Sequence, residues 1–217
     1  MWAGSTGDTS ISGGGYGELQ GGLSRWNAVA STAIDVRYGG TTSSSITCTA
    51  SQDSLANAVI FNDPCNDIAN LNGCSGTLAY GGVGASGTHS FDGTTWYSIN
   101  KWYVVVNNGS GCLGSTNYEI MLTHELGHGL GFGHTSDPSS LMYPSCCHPH
   151  NSLDVTCAQY LYPGGAPPPS TPTPTATRTP TLAPPTATPT RTATRTATPL
   201  PATRTPERRA GKERRSR

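Results

Sequence analysis

One stretch of this chain has residue types and spacing that could do chemistry: His124-Glu125-Leu126-Gly127-His128-Gly129-Leu130-Gly131-Phe132-Gly133-His134, which spells H-E-x-x-H-x-x-G-x-x-H. Residues four apart on a helix stand one above the other on the same face, so His124 and His128 can reach one zinc ion. A third imidazole from the next turn would approach at the wrong angle, and the helix therefore has to end. Gly131 can take a positive φ at little cost, stopping the helix and swinging His134 back toward the metal. Three neutral imidazoles leave a fourth position for water, the ligand set of a catalytic rather than a structural zinc. Glu125 follows the first ligand directly and is placed to act as general base on that water without binding the metal. The apolar run Ile120-Met121-Leu122 ahead of the motif can start the helix it needs.

This pattern resembles that of the metzincin metallopeptidases. Ser140-Leu141-Met142-Tyr143-Pro144 is similar to the turn that runs beneath the zinc in that clan, in the M-x-P form of its matrixin members. Thr135, after the third histidine, suits matrixins as well. Asp154-Val155-Thr156-Cys157-Ala158-Gln159-Tyr160-Leu161-Tyr162 resembles the matrixin C-terminal helix, and Trp26-Asn27 and Ile34-Asp35-Val36-Arg37-Tyr38 look like its first helix and first strand. The likeness covers roughly residues 16–163. It implies an α/β catalytic domain with a twisted, mixed five-stranded sheet, three helices and a zinc cleft. It also implies a packed apolar floor from Met142 and an anchoring role for Asp154 between the last helix and the turn. Some metzincins place a zinc-binding tyrosine two residues after this methionine; Pro144 stands there, so Tyr143 is not assigned to the metal. Matrixins also resemble each other in an inhibitory propeptide with a zinc-blocking cysteine, and no cysteine precedes Cys48 here.

The formal net charge of zero hides an asymmetry. Residues 1–169 hold Arg25, Arg37 and Lys101 against eleven acids, a balance of −8, whereas residues 170–217 hold ten bases and two acids, a balance of +8. From Pro167 to Pro206 the chain is almost wholly Pro, Thr and Ala with scattered Arg, and such a segment has too little apolar surface to offset its ordering entropy. The expected organisation is a flexible N-terminal segment over 1–15, a matrixin-like domain over 16–165, a Pro/Thr-rich disordered linker over 166–206 and a basic tail over 207–217. The tail's charge allows non-specific attachment to an anionic envelope surface. No recognition fold accompanies it, so specific nucleic-acid binding is not expected.

Seven cysteines in a Gly-, Ser- and Thr-rich domain point to an oxidising compartment. Cys65 and Cys74 flank a short loop and make the most natural local bridge, and Cys157 is expected to pair with Cys112, Cys146 or Cys147. Met1–Gly17 has no apolar core of a signal peptide and no stretch is long enough to span a membrane, as expected of a secreted chain that has lost its signal or is a fragment.

The elements that must position the site follow from periodicity. Leu19, Leu23 and Trp26 predict a helix over 17–31, and Ile34–Tyr38 alternates as a half-buried strand. Ala58–Phe61, a segment entered from Thr77–Tyr80, and Trp102–Val106 read as further strands. A helix over Tyr118–Leu130 carries the histidines, and a final helix is expected to be capped by Ser152 or Asp154. Asp63, Asn66, Asp67, Asn70 and Asn72 read as turn residues whose oxygens could also hold calcium. His89 alone is too little for a structural zinc, His148 and His150 read as surface imidazoles, and Asn108-Gly109-Ser110 is a glycosylation sequon. The function expected is a secreted, monomeric zinc endopeptidase acting on a protein or peptide, with Glu125 as base and His124, His128 and His134 as ligands. Two alternatives stand beside it: an envelope-tethered adhesive module with a non-catalytic zinc, and a zinc amidase acting on peptidoglycan.

Overall fold

Apolar residues at positions 19, 23 and 26 give helix α1 (Tyr16–Asn27) one buried face, which packs against helix α2 (Gly114–Gly129). Two polar contacts fix that packing. Trp26 Nε1 donates to the Thr123 carbonyl at 2.8 Å, and Arg25 pairs with Glu119 at 2.6 Å. The computed structural model describes residues 1–43 and 57–164. The linker expected over 166–206 and the tail over 207–217 lie outside the described residues.

Five strands make one mixed sheet: β1 (Trp2–Gly4), β2 (Thr41–Thr42), β3 (Ala58–Ile60), β4 (Ala79–Phe91) and β5 (Thr94–Val106), in the order β2-β1-β3-β5-β4. β1 runs parallel to β2 and β3, β3 runs parallel to β5, and only β4 is antiparallel, at the edge. Val59, Val104 and Val106 are buried, as β-branched residues in strands covered by helices should be. Helix α3 (Ser152–Leu161) completes the three α-helices among the described residues. The expected mixed five-stranded sheet with three helices is therefore present.

Several expectations are corrected. Residues 1–15, expected as a flexible segment, are ordered against the domain: Trp2–Gly4 is an inner strand, and Ala3 is fully buried. Asp8, also buried, accepts the Tyr118 hydroxyl at 2.6 Å. The segment lacks an apolar run because its role is backbone pairing, with glycine turns of positive φ at Gly7 and Gly13–Gly15 folding it onto α1. Ile34–Tyr38 has no regular secondary structure; the strand pairing falls at Thr41–Thr42. Asn27 holds the 34–38 segment instead, its side chain bonding both the N–H and the C=O of Val36.

The strands expected after Thr77–Tyr80 and at Trp102–Val106 are present, but they extend into one long β4–β5 hairpin, thirteen residues a side, that was not foreseen. Its two-residue turn, Asp92-Gly93, has positive φ at both positions (50° and 69°), the geometry that Asp-Gly favours. His89 sits on this hairpin against Ser98. α2 begins four residues earlier than expected and α3 is capped by Asn151, with Asp154 returning the bond to the Asn151 N–H.

The cysteine pairings also differ. Cys74 bridges to Cys112, Cys146 bridges to its neighbour Cys147, and Cys157 is free and exposed on α3. Cys65 belongs to a different disulfide from Cys74. Sequence proximity misled here, because the chain after Cys65 turns back on itself before Cys74 reaches the start of α2. That turn uses the candidate calcium oxygens locally: the Asp63 carboxylate accepts the N–H groups of Asp67 and Ile68.

Candidate metal centre

α2 ends as its glycines allow. Gly131 has φ of 90°, its N–H donates to the His128 carbonyl, and the Phe132 N–H donates to the Gly127 carbonyl. This pair of bonds is the Schellman closure of a helix. Phe132 then stacks on Trp26 with ring centroids 5.0 Å apart, which fixes the direction in which the chain leaves. His134 consequently returns to the face that carries His124 and His128.

The Nε2 atom of His134 lies 3.2 Å from the Nε2 atoms of both His124 and His128. Tetrahedral zinc at about 2.0–2.1 Å from each nitrogen requires ligand separations of about 3.3 Å. Among the described residues, these three are the one group of His, Cys, Asp or Glu side chains gathered closely enough to hold a metal ion. Two of the rings have their other nitrogen occupied. His124 Nδ1 donates to the Leu141 carbonyl at 2.6 Å and His128 Nδ1 to the Phe132 carbonyl at 2.8 Å. Those bonds put the proton on Nδ1 and leave the Nε2 lone pairs pointing at the common centre. Burial pushes the His124 imidazole down to about 4, against the opposing bond to Leu141, and burial lowers His128 too. Both rings are therefore neutral, as metal ligands must be. Donor type, tautomer and spacing all fit zinc.

Glu125 is buried on the same helix, and its Oε2 has no hydrogen-bond partner. Burial pushes its carboxyl up to about 8, and only the backbone of Gly81 on β4 opposes that rise. An unpaired buried carboxylate oxygen is costly and rare, so its presence next to three converging imidazoles marks a place built for a reactant.

The floor is the turn over 140–143. Met142 is buried with its sulfur against Gly127, where any side chain would collide with it. Asp154 of α3 organises this turn: its carboxylate accepts from Ser140 Oγ, from Leu141 N at 2.9 Å and from Asn151 N at 2.8 Å, with a longer contact to Met142 N. Because Leu141 supplies the acceptor for His124, the aspartate orients a ligand through one intervening residue. The positions foreseen for His124, Glu125, His128, His134, Met142 and Asp154 thus come together. The backbone partners Leu141, Phe132 and Gly81 were not foreseen, since a carbonyl or an amide leaves no mark in residue type.

A cleft of about 780 Å³ runs over the centre. Residues 74–81 line one side, α2 the base, and Pro144–His148 the other. His148 lies on that far wall, with its ring against Tyr143. His150 is half-buried rather than fully exposed: its ring packs edge-on against Trp26 at 4.5 Å, and burial lowers its proton affinity.

Comparison with known proteins agrees with this geometry. The matrixin family model matches residues 42–162. Rat macrophage metalloelastase is 33% identical over 111 residues, covering 46% of this chain and 21% of that protein. Human matrilysin is 40% identical over 78 residues, covering 35% and 25% respectively, and rat matrilysin is 48% identical over 52 residues, covering 21% and 20%. The chain spans about a quarter or less of the length of these curated relatives.

Proposed function

The chain belongs to the matrixin family, and from that premise we propose that it is a zinc-dependent endopeptidase that cleaves protein or peptide chains with Glu125 as general base. The observation that carries this is the unpartnered Glu125 Oε2 buried beside three imidazoles whose Nε2 atoms share one centre. A zinc ion held by His124, His128 and His134 would acidify a water and polarise the scissile carbonyl. Glu125 would take the proton from the attacking water at Oε2 and return it to the leaving nitrogen. A proton affinity raised by burial suits both transfers near neutral pH. His124 and His128 contribute orientation as well, their rings locked by backbone carbonyls. The cleft walls at 74–81 and 144–148 would align an extended peptide above the base, shortening the search for a reactive geometry.

Disulfide bonding favours a secreted protein, and no helix among the described residues is long and apolar enough to cross a membrane. The excess of arginine after residue 169 favours loose association with an anionic envelope surface, and the catalytic unit would act as a monomer.

Casein digestion with and without a chelator tests the reading. Wild type should cleave, lose activity to chelator and regain it with zinc. Glu125→Ala should keep its zinc and lose about 10²–10⁴-fold in turnover. Near wild-type turnover in that variant would remove the general base. Digestion of peptidoglycan but not casein would favour an amidase, and digestion of neither an adhesive module.

A further inference from the structure

Residues 74–78 form one wall of the cleft, yet they have no regular secondary structure. Irregular backbone beside a binding site has no ladder of hydrogen bonds to hold it, so its partners must come from elsewhere. Ser75 pairs with Asn72 through two backbone bonds, and the carbonyls of Thr77 and Leu78 are held by Asn107 and Ser110. Asn107, just past the end of β5 and fully buried, donates through Nδ2 to the carbonyls of Thr77 at 2.8 Å and Ala69 at 2.9 Å. Its own N–H donates to the Leu78 carbonyl at 2.9 Å, and its Oδ1 accepts the Asn108 N–H at 2.7 Å. Ser110 Oγ adds a second donor to the Leu78 carbonyl at 2.7 Å. Cys112, in the short turn Ser110–Leu113 that leads straight into α2, is bonded to Cys74 at the near end of the wall. The wall is thus clipped at both ends to the segment that launches the histidine-bearing helix.

We propose that Asn107 is a positioning residue for substrate capture: it sets the height of the 74–78 wall above α2, so that an incoming peptide meets a preformed edge. This rests on the endopeptidase reading. An amide is the side chain that the geometry requires, because two carbonyls and one N–H converge on it, and a carboxamide offers two N–H donors on one atom with an acceptor oxygen beside it, where a hydroxyl offers a single donor. Without the clamp, a bound peptide would have to order the wall itself, and that entropy would weaken binding. The histidines and Glu125 hang from α2 and the 140–143 turn, so turnover of bound substrate should change less.

Asn107→Asp tests this, since it keeps the shape and replaces the two-proton donor with an oxygen facing two carbonyls. For a peptide long enough to span the cleft, KM should rise about 10-fold while kcat changes by less than about 3-fold. Amide hydrogen exchange over 74–78 should speed up by about 10-fold relative to α2. Ser110→Ala, a milder change that covers the case in which the first variant does not fold, should move both readouts in the same direction by about 2–3-fold. Unchanged exchange over 74–78 in the variants, or a fall in kcat with KM constant, would overturn the proposal. The exchange measurement needs no turnover, so it decides the clamp even if wild type cleaves no peptide, a result that would defeat the functional reading alone.

Discussion

The 74–78 wall of the cleft and the 140–143 turn, which forms the floor and leads into the opposite, lower wall, are held by different chemistry. Below, one carboxylate, Asp154, gathers the 140–143 turn and the start of α3. Above, one neutral amide, Asn107, gathers residues 69–78, with a disulfide as its covalent companion. The difference follows from which end of the peptide group each turn leaves unpaired. The lower turn presents N–H groups, so an acceptor with four lone pairs satisfies it; the upper wall presents carbonyls, so it needs donors. A buried charge is tolerable below because every contact it makes is with a donor. The lower wall reaches the metal centre through Leu141 and His124, whereas the upper one meets the catalytic helix beyond residue 78, where the backbone of Gly81 lies against Glu125.

That contrast can be broken experimentally. Asp154→Ala should have the largest effect on the fold, about 3–5 kcal/mol, because each buried donor left unpaired costs about 1–3 kcal/mol. It should also weaken zinc binding about 10–100-fold, as loss of a group that orients a ligand does. Denaturant unfolding and zinc titration would measure the two. Wild-type zinc affinity in a variant that still folds would mean that the lower wall does not orient His124. Replacing Cys74 and Cys112 together by serine should cost about 2–4 kcal/mol, since the link closes a long loop, yet leave zinc affinity close to wild type. A large loss of zinc there would erase the distinction between the walls. Gly129→Ala should have the smallest effect, about 1–3 kcal/mol in thermal unfolding, because a β-carbon there would run into the Trp102 indole where α2 meets β5. That contact belongs to the frame the two walls share.

What could be read from residues alone divides along the same line. The lower half was legible because its function is written in side chains: two histidines and a glutamate at helical spacing, a third histidine beyond a glycine that must adopt positive φ, and a methionine and an aspartate in register. The upper half was legible only where apolar spacing marked α1, Ala58–Ile60 and Trp102–Val106; the rest of its logic is carried by backbone. β1 is three residues long and shows no alternation, so Trp2–Gly4 read as part of a flexible segment rather than as an inner strand. The β4–β5 hairpin hides behind four glycines and a run of exposed polar residues, although Asp92-Gly93 between residues that pair across the turn was a usable signal. The Cys74–Cys112 link could not be chosen over a nearer partner without knowing that the loop turns back. Asn107 carries no motif at all; only its burial and its two carbonyl partners identify it.

The central claim is that three imidazoles hold one zinc ion beside a carboxylate that does not bind it. Elemental analysis of purified, dialysed protein tests this most directly, applied to wild type, Glu125→Ala and His128→Ala in parallel. One zinc per chain is expected in the first two and almost none in the third. Stoichiometric, tightly held zinc in His128→Ala, or zinc lost from Glu125→Ala, would contradict the claim.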